Sequence, residues 1–191
     1  MEMIKYVNYL IAMVFICCYS YQLFYVAAAL IKKPKTSGKV NYHMYAVLIS
    51  ARNEESVIAQ LIKSIRNQSY PTKYVDIYVV ADNCSDRTAE IARANHACVW
   101  ERFNTRQVGK GYALRFLFQN IKAAGLDKKY DGYFIFDADN LLDEYYIENM
   151  NRTFSDGHRI ITSYRNSKNF GDNWISAGYS LWFLRESRYL N

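Results

Sequence analysis

The sequence predicts an α/β domain, a mostly parallel sheet flanked by helices, preceded by one N-terminal transmembrane helix. Three observations predict it: an uncharged N-terminal run, an alternation of short apolar runs with helical periodicity from residue 40 onward, and polar, acid-rich turns that close three of those apolar runs. The 191 residues are 51% hydrophobic with eight Gly and two Pro, which excludes a disordered or low-complexity chain. The 24 basic and 18 acidic side chains give a net charge of +6, but no basic run exceeds a pair such as Lys32-Lys33. That pattern favours anionic partners such as phosphates or lipid headgroups and argues against nucleic acid. Four irregularly spaced cysteines and no C-x-x-C pair exclude a disulfide framework or a zinc site and fit a reducing compartment.

Tyr6 to Ile31 contains 26 residues without a charge. As a helix this run is roughly 39 Å long, enough to cross a hydrocarbon core of about 30 Å with tilt. A signal peptide has a shorter apolar region, and a core helix rarely reaches this length. Lys32, Lys33, Lys35 and Lys39 follow the run, whereas only Lys5 precedes it. The positive-inside bias therefore places the C-terminal side in the cytosol. The expected organisation is an anchor with its basic flank over 1–35 and a folded domain over 40–191.

Within that domain, Tyr45–Ile49 reads as a buried strand ending in the turn Ser50-Ala-Arg-Asn-Glu-Glu55. Val57, Ile58, Leu61, Ile62 and Ile65 share one helix face, closed by Asn67-Gln-Ser-Tyr-Pro71. Val75–Val80 is a second strand, running into Ala81-Asp-Asn-Cys-Ser-Asp86 and a helix from Thr88 to Ala94. Ala97–Glu101 is a short third strand. Lys110–Ala124 is helical, with Ala113, Leu114, Leu117 and Ile121 on one stripe. Gly132–Phe136 is a fourth strand, ending in Asp137-Ala-Asp-Asn140 and followed by a helix near Glu144–Phe154. Ile160–Tyr164 reads as a fifth strand, and Gly171–Leu190 as an aromatic-rich helix suited to an acceptor groove, a membrane interface or packing onto further chain. Strands and helices alternating at this spacing imply right-handed crossovers and a parallel sheet, whose ligands sit at the carboxyl ends of the strands. Arg52/Asn53/Glu54, Asp82/Asn83/Asp86 and Asp137/Asp139 all fall at such ends.

Asp137 and Asp139, one residue apart beyond a strand, can hold a hard divalent cation that bridges to a diphosphate, or can cap the next helix. Gly109-Lys-Gly111 offers close backbone approach, a cation and a helix N-terminus for an anion, or is a plain loop–helix junction. The G-x-x-x-x-G-K-[ST] and G-x-G-x-x-G spacings are absent, which excludes a Walker loop and disfavours a dinucleotide-binding domain. A nucleotidyltransferase's G-G-x-G-x-R loop is not found in Ser50–Glu55, and the scattered His43, His96 and His158 suggest structural or exposed roles.

Taken together, four segments resemble family-2 glycosyltransferases in order and spacing. Val47–Glu55 resembles the opening strand and its P-x-x-N-E turn, with Ser50 for Pro. Val79–Thr88 resembles the D-D-x-S-x-D-x-T segment, with Ala81 for the first Asp and Cys84 for the Ser. Gly109–Leu114 resembles the G-K-x-x-A-L loop, and Phe136–Asn140 the D-x-D. The resemblance implies the GT-A fold and inverting transfer from a nucleotide-sugar, with UDP usual, to a carbohydrate or lipid-linked acceptor. Carried over residue by residue, Ala51, Arg52 and Glu54 would border the base and ribose, Asp82 would contact the nucleobase, and Lys110 would lie near the nucleotide. Asp137 and Asp139 would hold the diphosphate and Mg²⁺ or Mn²⁺. With the N-terminal span, the resemblance points to the membrane-bound, cellulose- or hyaluronan-synthase-like branch, with membrane lipids as partners. That branch's E-D general base and Q-x-x-R-W motif are not found before Asn191. The expectation is therefore a truncated transferase whose catalytic base lies beyond Asn191, or a membrane-anchored donor-binding fragment without turnover.

Overall fold

A computed structural model describes residues 2–31, 40–167 and 170–189. These form two compact units: Ser37–Arg159, and a second that unites the N-terminal helix with the segment from Ile160 onward. The first unit is a four-stranded sheet of β1 (Tyr45–Ala51), β2 (Val75–Asp82), β3 (Cys98–Arg102) and β4 (Gly132–Asp137). The strand order is β3-β2-β1-β4, and every pairing is parallel. In the second unit, helix α1 spans Glu2–Ile31, long and apolar enough to cross a membrane over Glu2–Tyr25.

The sequence reads as continuous apolar strands because β1 is covered on both faces. Tyr45, Val47, Ile49 and Ala51 face one core layer with Ile58, Leu61, Ile62 and Ile65 of α2 (Ile58–Arg66), Ala92 of α3 (Thr88–Ala94) and Ile147. The alternate residues Ala46 and Leu48 face the other layer, with Ala113, Leu117 and Ile121 of α4 (Lys110–Ala123). Period-two alternation in the strand thus meets period-3.6 stripes on helices from both sides. Helix α5 (Tyr146–Ser155) carries Ile147 into the first layer.

Tyrosine hydroxyls close the base of the sheet. Tyr45 Oη donates to Asn151 Oδ1 at 2.8 Å, and Tyr70 Oη donates to the His43 carbonyl at 2.8 Å while accepting the His43 amide at 2.7 Å. Burial pushes the Tyr70 phenol up to about 12 and raises that of Tyr45 above its ordinary value. On the other face the Tyr130 hydroxyl donates to Asp76 Oδ2 at 2.6 Å and lies 2.5 Å from the Tyr78 hydroxyl. Gly132 starts β4 opposite Tyr45, where a Cβ would lie 2.9 Å from the Tyr45 ring. A larger residue there would separate the two strands at their shared start.

The expected fifth strand is not formed. Residues 160–164 have no ladder partner, and Ile160 is 93% exposed. An Ile-Ile-Thr-Ser-Tyr run has strand propensity, but propensity is realised only against a neighbouring strand and a covering layer. The other strands and helices fall within a few residues of their expected limits. The last helix, α6, spans Trp174–Tyr189.

Candidate active site at the carboxyl edge of the sheet

Parallel pairing in register brings the ends of the strands to one edge. Ser50 stands opposite Asp137, Ala51 opposite Ala81, and Asp82 opposite Arg102. The polar residues that follow each strand therefore emerge side by side, although up to 87 residues separate them in sequence.

The turns after β1 and β2 are laced together. Asn53 and Asn83 both adopt left-handed backbone, at φ 55° and 53°, a conformation asparagine tolerates better than most residues. Asn53 Oδ1 accepts the Ser85 amide at 2.8 Å, and the Glu54 amide donates to Thr88 Oγ1 at 2.8 Å. The Glu55 amide donates to Asp86 Oδ2 at 3.1 Å, and Glu55 Oε2 accepts the Arg87 amide at 3.0 Å. Cys84 Sγ sits between the turns, accepting the Asn53 amide and donating to the Ala51 carbonyl, both at 3.5 Å. Burial raises the Cys84 thiol above its ordinary value, so it stays a neutral donor. Desolvation would raise Asp86, but the Thr88 hydroxyl and the Thr88 and Glu55 amides outweigh it and hold the carboxyl below the usual range. Of the expected donor residues, Ala51 is buried, Glu54 half-buried and Arg52 exposed on this rim.

Asp82 is placed at the edge but is not free. Its Oδ1 accepts from Arg102 Nη1 at 2.5 Å and from Asn83 Nδ2 at 3.3 Å, and the two charged side chains are 5% and 6% exposed. Arg102 Nη2 also donates to the Gln107 carbonyl at 2.6 Å. One buried guanidinium thus ties β2, β3 and the loop that leads into α4. Arg102 carries no signal in the sequence: it ends a short strand whose other residues are exposed or half-buried, yet it is the one that β3 buries.

That loop ends at Gly109, whose φ of 126° favours glycine, and Lys110 opens α4. Lys110 Nζ is ion-paired with Asp137 Oδ1, so two expected site residues meet across the edge. Both remain about half exposed. The Asp137 amide donates to Asn140 Oδ1 at 3.1 Å, and the Asn140 amide donates back to the Asp137 carbonyl at 3.1 Å. This small turn buries Ala138 and leaves Asp137 and Asp139 on the surface. Asp139 accepts from Asn140 Nδ2 at 3.4 Å. No helix begins here, since α5 starts only at Tyr146, so helix capping does not account for the pair. Among the described residues no three His, Cys, Asp or Glu side chains form a metal cluster. Two oxygen-only carboxylates fit a hard cation that completes its shell from phosphate and water.

Comparisons with known proteins agree with this geometry. Residues 43–189 match the family described as "Glycosyltransferase like family 2". A probable glycosyltransferase of Bacillus subtilis is 52% identical over 46 residues, which is 24% of this chain and 11% of that protein. The 4,4'-diaponeurosporenoate glycosyltransferase of Staphylococcus haemolyticus is 40% identical over 72 residues, 36% of this chain and 18% of that protein. A beta-monoglucosyldiacylglycerol synthase of Trichormus variabilis is 39% identical over 46 residues, 24% of this chain and 10% of that protein. The matched segments therefore span about a tenth to a fifth of these curated relatives. In three dimensions, a mannosyltransferase from Pyrobaculum calidifontis, solved with GDP-Man and Mn²⁺, superposes with a TM-score of 0.55 at 20% identity, covering 75% of this chain and 41% of that one. That likeness establishes the GT-A type of fold. With most of its length matched from the first strand to the last helix, the chain belongs to glycosyltransferase family 2.

Proposed function

We propose that this chain is the donor-binding part of an inverting glycosyltransferase that takes a UDP-sugar at the cytosolic face of the cell membrane. Residues 1–35 are its anchor and 40–191 its transferase domain, of the cellulose- or hyaluronan-synthase-like branch. The observation that carries the reading is the convergence of three strand ends in register, with Arg52, Asp82 and Asp137 at one edge and Lys110 closed onto Asp137. Ala51, Arg52 and Glu54 border the base and ribose. Asp82 lies beneath the base, held in place by Arg102. Lys110 and Asp137 face the diphosphate.

Asp137 and Asp139 are the residues that would hold Mg²⁺ or Mn²⁺; when bound, the ion neutralises the leaving diphosphate. Lys110 supplies a second positive charge at that place, and its helix N-terminus adds amide donors. The acceptor is a carbohydrate or lipid-linked hydroxyl. The name of one relative, a beta-monoglucosyldiacylglycerol synthase, supports a lipid acceptor. Cytosolic orientation rests on Lys32, Lys33, Lys35 and Lys39 after the apolar run.

The direct test is calorimetric titration of the chain with UDP, GDP and CMP in the presence of Mn²⁺, followed by an assay for UDP release from UDP-sugars. Binding of UDP above the other nucleotides supports the assignment. Equal or absent binding of all three overturns it.

A further inference from the structure

The aromatic helix α6 is not used by the donor site, and it differs from the helices that cover the sheet. From Trp174 to Leu184 it has no charged residue, and charges begin only at Arg185. Trp174 is 84% exposed, Leu181 59% and Tyr179 56%, with Ile175 and Trp182 also more than half exposed. Among its described residues the buried ones are small, Ser176 and Ser180, one turn apart, with Phe183 and Leu184 half-buried. Helix α6 meets α1 within the same compact unit. Small residues one turn apart let helix backbones approach closely where no hydrophobic effect drives them together. The described α1 residues that are not fully exposed are Gln22 and Ala28, so the contact falls on the C-terminal half of α1, towards the lysine-rich flank.

The two buried serine hydroxyls of α6 and the amides at its start are hydrogen-bonded within the segment. Ser180 Oγ donates to the Ser176 carbonyl at 2.9 Å, and Ser176 Oγ donates to the Asn173 carbonyl at 2.9 Å. Asn173 Oδ1 caps the start, accepting the Ile175 and Ser176 amides at 3.0 Å each. A stretch whose serine hydroxyls are satisfied internally, and whose large side chains from Trp174 to Leu184 are all apolar or amphipathic aromatics, suits a lipid environment and not water. Its uncharged stretch is about 16 Å long, half a hydrocarbon core, which is the length of an interfacial or half-inserted segment and not of a span.

We propose that Trp174–Leu184 lies in one lipid leaflet against the C-terminal half of α1, with Trp174, Tyr179 and Trp182 at the boundary of acyl chains and headgroups and Arg185 among the phosphates. This rests on the reading of α1 as a membrane helix. The assignment gives the chain a second, monotopic membrane contact far along the sequence from its anchor, one that holds the chain beyond the D-x-D segment at the bilayer surface.

The test uses the full chain in phosphatidylcholine–phosphatidylglycerol vesicles. The sequence has three tryptophans, Trp100, Trp174 and Trp182. Trp100→Tyr leaves only the α6 indoles, and the double change Trp174→Tyr/Trp182→Tyr leaves only the one on β3. Lipids spin-labelled near the headgroup end of the acyl chain should quench most of the emission of the first variant and little of the second. Acrylamide, an aqueous quencher, should do the reverse. Flotation of the vesicles reports α1 separately. A protein that floats, with α6 indoles quenched by acrylamide or shielded from both quenchers, overturns the proposal while the anchor stands. A protein that does not float overturns both.

Discussion

Replacing Asp82 by alanine should destabilise the fold before it says anything about nucleotide. Asp82 and Arg102 are almost completely buried and paired at 2.5 Å, and among the described residues the Arg102 guanidinium has only the Gln107 carbonyl besides. Removing one partner of such a pair leaves a buried charge and costs about 3–5 kcal/mol. Total stabilities of about 5–15 kcal/mol make that a large fraction. With a urea m-value of about 2 kcal/mol per molar, the midpoint should fall by about 2 M. Trp100 is the reporter: it stacks on Tyr78 within the same sheet, at a centroid distance of 5.4 Å, and can be read alone once Trp174 and Trp182 are replaced by tyrosine. Asp82→Leu combined with Arg102→Met should recover most of the loss, because no unpaired charge remains. A fall below about 0.5 M for Asp82→Ala, or no recovery in the double variant, would refute the buried-pair argument. The gentler Asp82→Asn, which keeps an acceptor for Arg102, is then the variant in which a change of UDP affinity can be assigned to the base.

Three further outcomes are expected at the edge and core, and one at the membrane. Asp139→Asn should abolish most of the Mn²⁺ dependence of UDP binding without moving the melt of the free chain, whereas identical affinities with and without metal in both proteins would sink the cation site. Lys110→Met should weaken UDP binding while leaving stability within about 1 kcal/mol, since its ion pair with Asp137 is half exposed; a large loss of stability with unchanged affinity would contradict this. Raised phenols at Tyr45, Tyr70 and Tyr130 mean the folded chain holds protons that the unfolded chain releases near pH 10, so stability should be intact below pH 10 and decline as pH rises through about 12. Urea midpoints that stay level from pH 8 to 11.5 would count against those buried hydroxyls. A cysteine at Lys122, exposed on α4, should react with a membrane-impermeant maleimide only after cells are permeabilised; labelling of intact cells would reverse the topology.

Much of this architecture was legible in the sequence because strands buried on both faces leave an unambiguous apolar run, and β1 and β2 are of that kind, while β4 keeps an apolar run although Tyr133 and Ile135 are exposed on one face. The D-x-D and Gly-Lys-Gly segments could be seen, but not that Lys110 and Asp137 meet, because register between strands is a long-range property. Arg102 was invisible for a related reason. A lone arginine ending a short strand reads as exposed until pairing sets it opposite Asp82. Ile160–Tyr164 failed in the other direction, since its composition suits a strand but among the described residues no strand pairs with it. The tyrosine network at the base of the sheet could not be anticipated from periodicity, which records which face a side chain takes but not what its hydroxyl finds.

The position of β1 between β2 and β4 also sets the order in which the molecule can be assembled. On the ribosome, β1 finds its β2 partner about 30 residues later, but its β4 partner only about 87 residues later. Closing the longer loop costs about 1 kcal/mol more in chain entropy. Until Gly132–Asp137 has emerged, one side of β1 is an unpaired apolar edge. The segment that bears Asp137 and Asp139 is thus the last to join the sheet, and conditions that slow its arrival leave a nascent chain open to edge-to-edge association.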